Sequence, residues 1–348
     1  MNSKLSIELK AEALRLGFFG CGIARAGAVD NTTKNNFGQW LEEGLQADMG
    51  YMAGHQDKRL DPRLLMKGLK SIVCVAMNYA PAQHIPENEW QLAAYAYGED
   101  YHEIVKNKLR ALAHRFRFKE VMQDEDQDDD EHVIHYRVFC DTAPILERYW
   151  AAQAGLGWIG RNHQLIIPKA GSMFFLGELF LDIDLEYDSP QSNRCGTCHA
   201  CIEACPTCAL SLGGPLDANR CLSYQTIENR YDIPSPLIKK MGNTIYGCDK
   251  CLEACPWNRF AQPNDLPELQ PKPELLQMTR SQWMNLSIDD YQKLFKKSAV
   301  KRAKYDGLMR NIRAISSLPR ESAKQNTITA NGNPLKEQSD QNENDEQS

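Results

Sequence analysis

The sequence predicts a mixed α/β (α+β) layer over residues 1–185, followed by a compact cysteine-rich segment over 186–262. Two observations carry this reading. Strand-like apolar segments alternate with helical ones through the first part of the chain, the pattern of helices packed on a sheet. Nine of the twelve cysteines then crowd into residues 195–255, too densely for core filling. A helical, basic stretch at 263–318 and a polar tail at 319–348 complete the chain.

Residues 4–17 repeat apolar side chains at helical spacing and stop at Gly17, a C-cap residue type. Residues 18–24 read as a strand, 37–43 as a helix, and 71–79 (Ser-Ile-Val-Cys-Val-Ala-Met-Asn-Tyr) as a buried strand. A long helix with basic residues on its outer face is expected at 101–116. Strand character returns at 132–140 and helix at 144–154, with Thr142 placed to cap it and Pro144 in its first turn. Residues 165–168 and 173–182 read as two strands joined through Lys-Ala-Gly. The run 124–131 has no apolar side chain and is expected to be a solvated loop, and the tail to be disordered.

The first cysteine run is Cys195-Gly-Thr-Cys198-His-Ala-Cys201-Ile-Glu-Ala-Cys205-Pro206, the spacing of bacterial two-cluster ferredoxins. There three close thiolates bind one iron–sulfur cubane and the fourth, before Pro, reaches the other. The second run, Cys248-Asp-Lys-Cys251-Leu-Glu-Ala-Cys255-Pro256, is one ligand short, and Cys221 lies between the two runs. One [4Fe–4S] cluster would then sit on Cys195, Cys198, Cys201 and Cys255, the other on Cys205, Cys221, Cys248 and Cys251. Structural zinc prefers paired C-x2-C knuckles, and a disulfide framework suits short secreted chains, so both rival readings fit less well. Of the remaining thiols, Cys21, Cys74 and Cys140 are expected in the core and Cys208 as a bystander.

The formal charge of −6 conceals an uneven distribution. The run 124–131 carries −7 and the tail from Glu321 a further −4; taking both from the total leaves the rest at +5. An acidic pI therefore does not exclude a nucleic-acid partner. Eight basic residues and one acid lie between Lys293 and Arg313, with Phe295 and Tyr305 interleaved. No apolar run approaches the roughly 20 residues of a membrane span. The amino terminus shows no apolar signal core or twin-arginine pair, so a cytoplasmic protein with no membrane partner is expected.

Several blocks resemble the epoxyqueuosine reductase family. They are Phe139-Cys-Asp141-Thr-Ala-Pro144-Ile-Leu-Glu147-Arg148, Gly155-Leu-Gly157-Trp158-Ile-Gly160-Arg-Asn162, and Gly171-Ser172-Met-Phe-Phe-Leu-Gly177-Glu178. Arg220-Cys221-Leu-Ser223-Tyr-Gln-Thr226, Met241 through Asp249, and Ser298 through Asn311 match as well, in order over residues 5–315. The sequence departs from the family's usual residues at Arg161, Asn162 and His163.

The resemblance implies a cytoplasmic monomer with a cobalamin-binding α/β domain similar to that of reductive dehalogenases. It implies reduction of epoxyqueuosine to queuosine at the wobble position of a tRNA anticodon. Two [4Fe–4S] clusters would pass electrons from an external low-potential donor to base-off cobalamin. By family position, Asp141 would be the proton donor and a cofactor contact, and Arg59, Leu165, Leu176, Glu228 and Asp249 would also contact cobalamin. Asp141 ends a predicted strand, where such folds place ligands, and burial would have to raise its pKa for it to act as an acid. Capping the next helix is the plain alternative for this residue. Asp100-Tyr101-His102 is similar to the start of the Asp-x-His-x-x-Gly cobalt-ligating motif, but Val105 stands where Gly is needed. His102 is thus expected as a cleft contact, or simply as a surface helix residue. Lys297, Lys301, Arg302 and Arg310 are expected to lead the tRNA backbone contact, with a solvated helix face as the alternative. Competing functions are a reductive dehalogenase-like enzyme acting on a small molecule, or a non-enzymatic electron-transfer module.

Overall fold

The computed structural model describes residues 2–121 and 133–317. The acidic run at 124–131 and the tail at 319–348 lie outside them. Among the described residues the strands, in chain order, are β1 (Gly20–Arg25), β2 (Ser71–Asn78), β3 (Gln91–Leu92), β4 (Lys119–Glu120), β5 (His135–Phe139), β6 (Trp158–Ile159), β7 (Leu165–Ile166), β8 (Phe174–Leu181) and β9 (Thr244–Tyr246). Five of them form the main sheet in the order β1-β2-β8-β5-β4. All pairings in it are antiparallel except β4 with β5. The alternation of strand and helix therefore builds the α+β form of the predicted layer, not a parallel doubly wound sheet.

The buried strands show why the sheet holds. In β2 and β8, side chains alternate between two covered faces. Val73, Val75, Met77, Leu179 and Leu181 join one core, and Ile72, Cys74, Ala76, Leu176 and Phe180 the other. Each fully buried side chain of this size contributes about 1.5–3 kcal/mol. Helix α1 (Ser3–Arg15) covers the first face with Leu9 and Ala13, and α2 (Asn31–Glu42) follows β1. Asp30 caps α2 by accepting the Thr33 N–H at 2.9 Å, six residues or so before the predicted start. Gly17, at φ +91°, ends the first helical segment in a conformation that L side chains resist.

Short helices α3 (Gly50–Ala53) and α4 (Gln56–Leu60) lead to β2, and α5 (Tyr101–Arg115) lies across the first face through Val105, Leu109 and Leu112. The second face is covered by α6 (Glu147–Gln153), through Trp150 and Ala151. Helix α6 starts later than its pattern suggested. Its N-cap position is Leu146, with no side-chain cap, so neither Thr142 nor Pro144 plays its expected part. Strands β6 and β7 form a separate ribbon, and Ile167 bridges to Gly171 before β8 begins.

The cysteine-rich segment contributes α7 (Ala200–Glu203), α8 (Leu222–Ile227), α9 (Ser235–Met241) and α10 (Lys250–Glu253). It is tied to the first part by the parallel β3–β9 pair. Helices α11 (Pro273–Leu276), α12 (Arg280–Met284), α13 (Ile288–Leu294) and α14 (Lys304–Ser316) follow. Their Trp283, Phe295, Leu308 and Ile312 belong to the same apolar cluster as the first face of the sheet. No helix among the described residues is long and apolar enough to cross a membrane.

Candidate functional site

Asp141 follows the end of β5 on a turn with φ +52°. It caps no helix. Its Oδ2 accepts a hydrogen bond from the Tyr101 hydroxyl and lies 3.7 Å from His102 Nε2, both side chains being delivered by the first turn of α5. Asp100 caps that turn, accepting the His102 backbone N–H at 3.1 Å and meeting His102 Nδ1 at 2.5 Å. Tyr101 is fixed by stacking on Phe175 of β8, at 4.0 Å and 2° between planes, and on His102 at 4.1 Å. The Asp141 side chain is 61% exposed.

The charges follow from these contacts. Loss of water around Asp141 raises its pKa, but the nearby His102 ring and the Tyr101 hydrogen bond outweigh that and hold it below the usual carboxylate value. The expectation that burial would raise it is therefore corrected. Burial pushes His102 down, and the Asp100 and Asp141 carboxylates more than offset this, bringing it to about 9. At neutral pH the resident proton of this trio is on His102.

Beneath Asp141 lie two further carboxyls. Glu147 Oε1 accepts the Asp141 backbone N–H. Burial and the neighbouring Asp141 push Glu147 up to about 8. Glu178, wholly buried in β8, is raised by burial and by Glu147. Arg148 approaches from α6 and donates to the His163 carbonyl.

The cysteines gather in two sets. The Cys201 thiol is raised by burial and then by Cys255, Cys195 and Cys198. Cys251 is raised by burial, then by Cys248, Cys221 and Cys205. Each set brings four thiols within electrostatic reach of one another, and thiolates are the donor chemistry of an iron–sulfur cubane, although among the described residues no three ligating side chains are drawn together closely enough to hold a metal ion. Among the expected cobalamin contacts, Arg59 is buried, its Nη2 donates to the Tyr51 carbonyl at 3.2 Å, and its Nε lacks a partner. The Tyr51 phenol is raised by burial and by Glu228, and also senses Arg302, Asp141 and Arg59. These groups lie within electrostatic reach of Tyr51, and an unpartnered guanidinium N–H among them suits a polar-edged cofactor. Leu165 and Leu176 are buried in β7 and β8. Asp249 accepts the Ala94 N–H at 2.6 Å, and burial pushes it up to about 6.

Comparison with known proteins gives this geometry its context. A family model described as epoxyqueuosine reductase QueG, DUF1730, matches residues 59–142, and one for a 4Fe-4S double cluster binding domain matches residues 194–258. An epoxyqueuosine reductase of Cellulophaga algicola is 42% identical over 87% of this chain and 95% of that protein. The chain belongs to the epoxyqueuosine reductase family. It is accordingly an oxidoreductase. Two solved epoxyqueuosine reductases share its fold. One, in complex with a tRNA-Tyr epoxyqueuosine-modified stem loop, is 27% identical with a TM-score of 0.77, covering 90% of this chain and 80% of that one. The other, from Bacillus subtilis, has its catalytic aspartate loop swung out of the active site. It is 26% identical with a TM-score of 0.78, covering 90% and 81%.

In this epoxyqueuosine reductase family member the basic residues divide sharply. Lys297 and Lys301 are exposed and line a groove of about 820 Å³ that also includes Asp100 and Glu103 of the His102 region. The Lys297 carbonyl accepts the Asp100 N–H at 2.6 Å, joining this groove to the cap of α5. Arg302 is held by Glu228 through two bonds of 2.8 Å. Arg310 is held by the carbonyls of Asn229, Tyr231 and Gln225 at 2.5–2.8 Å. Arg310 thus fastens the chain to itself and leaves no donor face for phosphate, a correction to its expected role. The sequence assigns no role to Glu147 and Glu178, and Tyr101 reads there only as an aromatic candidate for base stacking or core packing. A lone acid inside the apolar run of β8 was the readable sign, since a buried carboxyl without a structural partner is costly.

Proposed function

We propose that the protein reduces epoxyqueuosine to queuosine at the wobble position of tRNA, taking two electrons and two protons per epoxide and releasing its oxygen as water. One observation carries the reading: the exposed Asp141 carboxylate accepts from the Tyr101 hydroxyl and lies 3.7 Å from His102, whose pKa its carboxylate neighbours raise to about 9. When bound, two [4Fe–4S] clusters on the two thiol sets and base-off cobalamin supply single electrons and a strongly reducing cobalt centre. Arg59, Glu228, Asp249 and the backbones at Leu165 and Leu176 would hold the corrin.

The chain's own task is protonation and exclusion of water. His102 passes its proton to Asp141, which delivers it to the departing oxygen, and solvent then reprotonates His102. Tyr101 keeps the carboxylate aimed by donating to the oxygen nearest His102. Lys297 and Lys301 hold the tRNA backbone, and an external low-potential donor refills the clusters. The arrangement is supported by the relative solved with a modified tRNA stem loop.

The test is anaerobic turnover of epoxyqueuosine-containing tRNA by the reconstituted protein with a low-potential reductant. Nucleoside mass spectrometry should show queuosine formed only when cobalamin is present. Conversion at the same rate without cobalamin would remove the corrin reading.

A further inference from the structure

Strand β8 reads Phe-Phe-Leu-Gly-Glu-Leu-Phe-Leu, and Glu178 is its one ionisable side chain. It is 0% exposed and stands in register with Cys74 of β2 and Phe139 of β5. No donor reaches either of its carboxylate oxygens. The polar group that meets it is the half-buried carboxyl of Glu147 on α6. Two carboxyls bond to each other only when one carries a proton. Glu147 also accepts the backbone N–H of Asp141, at the position where the chain turns through positive φ.

We propose that Glu147 and Glu178 hold a proton between them, and that this protonated pair clamps the Asp141 turn through its backbone N–H, aiming the exposed Asp141 carboxylate. The clamp rests on the reading of Asp141 as proton donor. Both glutamates are positioning residues.

The groups facing the pair are Asp141 and Cys140 from the end of β5, Cys74 from β2, Arg148 from α6 and Arg59 from α4. The two arginines favour ionisation. Burial and the Asp141 carboxylate oppose it and prevail, so that Glu147 ionises at about pH 8 while Glu178 is raised in the same direction and keeps its proton longer. Once Glu147 ionises, its carboxylate and that of Asp141 repel each other in a site poor in water, and the hold on the Asp141 turn loosens.

The test uses the reconstituted holoenzyme and epoxyqueuosine-containing tRNA. Glu147→Ala should lower kcat about 100-fold with KM little changed, because a reacting group displaced by an ångström costs that much. Glu147→Gln keeps an acceptor for Asp141 and gains a donor for Glu178, so it should recover about tenfold of the loss. In Glu147→Gln and Glu178→Gln the fall in kcat near pH 8 should vanish, leaving the later fall set by His102. Infrared spectra at pH 7 should show a buried carboxylic-acid C=O band that is missing from Glu178→Gln. Wild-type kcat in Glu147→Ala, an unchanged pH 8 limb in both glutamine variants, or no such band would each overturn the clamp. Should Glu147→Ala fail to retain iron, the glutamine variants decide the matter. The band is read without turnover. Its absence alongside an inactive Asp141→Asn removes only the shared proton, whereas a fully active Asp141→Asn removes the acid reading and the purpose of the clamp.

Discussion

His102 Nε2 stands 3.7 Å from Asp141 Oδ2 while Nδ1 of the same ring meets Asp100 Oδ1 at 2.5 Å. An imidazole between two carboxylates keeps its proton well above its ordinary range, here to about 9. Turnover limited by this proton should fall as pH rises through that value. His102→Gln should lose this limb and reduce kcat by about 100-fold. A pH–rate measurement that finds the limb intact in the variant would assign the proton to another group.

Asp141→Asn separates proton transfer from architecture. Asn tolerates the left-handed backbone that Asp141 adopts at φ +52°, so the turn should persist. The amide cannot pass a proton, and kcat should fall at least about 100-fold with iron content and thermal stability unchanged. Retained turnover would exclude Asp141 as the acid.

The strands and long helices were readable because their apolar spacing is set by burial. Ser71–Asn78 and Tyr101–Arg115 were predicted to within a residue or so for that reason. The start of α6 was not, because its first turn is fixed by Glu147 binding back to Asp141, not by a local cap. Antiparallel pairing also escaped the pattern, since a strand covered on both faces looks the same in either direction. The cysteine spacing was legible because metal ligation leaves a local signature. The polarity of Asp141 was not, because Tyr101 and His102 approach it from α5.

The basic segment offers a test that distinguishes phosphate contact from structural pairing. Lys297 and Lys301 are exposed along the groove. Replacing both with Ala should weaken tRNA binding and flatten the dependence of log Kd on log salt by about one to two units. Arg310→Ala should instead lower thermal stability, by about 1–3 kcal/mol, because buried carbonyls lose their donor. Filter binding over a salt series and a melting curve check both. Unchanged salt dependence in the double lysine variant would move the tRNA elsewhere.

Cys221, raised by burial and by Cys205, is proposed to complete the second thiol set. Cys221→Ala should reduce iron from about eight to about four per chain, leaving one cubane. Cys208 is exposed, at φ +51°, and its replacement should leave iron unchanged. Iron assay with electron paramagnetic resonance would show the reverse if Cys208 were the ligand.

The buried acids also make a prediction about stability. Glu147 has its pKa raised from 4.5 to about 8, and Glu178 is raised in the same direction. Between these values the folded chain binds protons that the unfolded chain has released, so stability must fall as pH rises through that window. His102, raised from 6.5 to about 9, acts in the same direction: its contribution is full below 6.5 and is lost as pH rises through 9. Glu178→Gln removes the ionisable member that has no other partner, and its amide can donate to Glu147. Its Tm should therefore exceed that of the natural protein at pH 8 and approach it at pH 5, as measured by calorimetry of the iron-loaded protein. Parallel Tm–pH curves for the two proteins would mean that Glu178 ionises in the fold as freely as in water, and that no proton is held beneath Asp141.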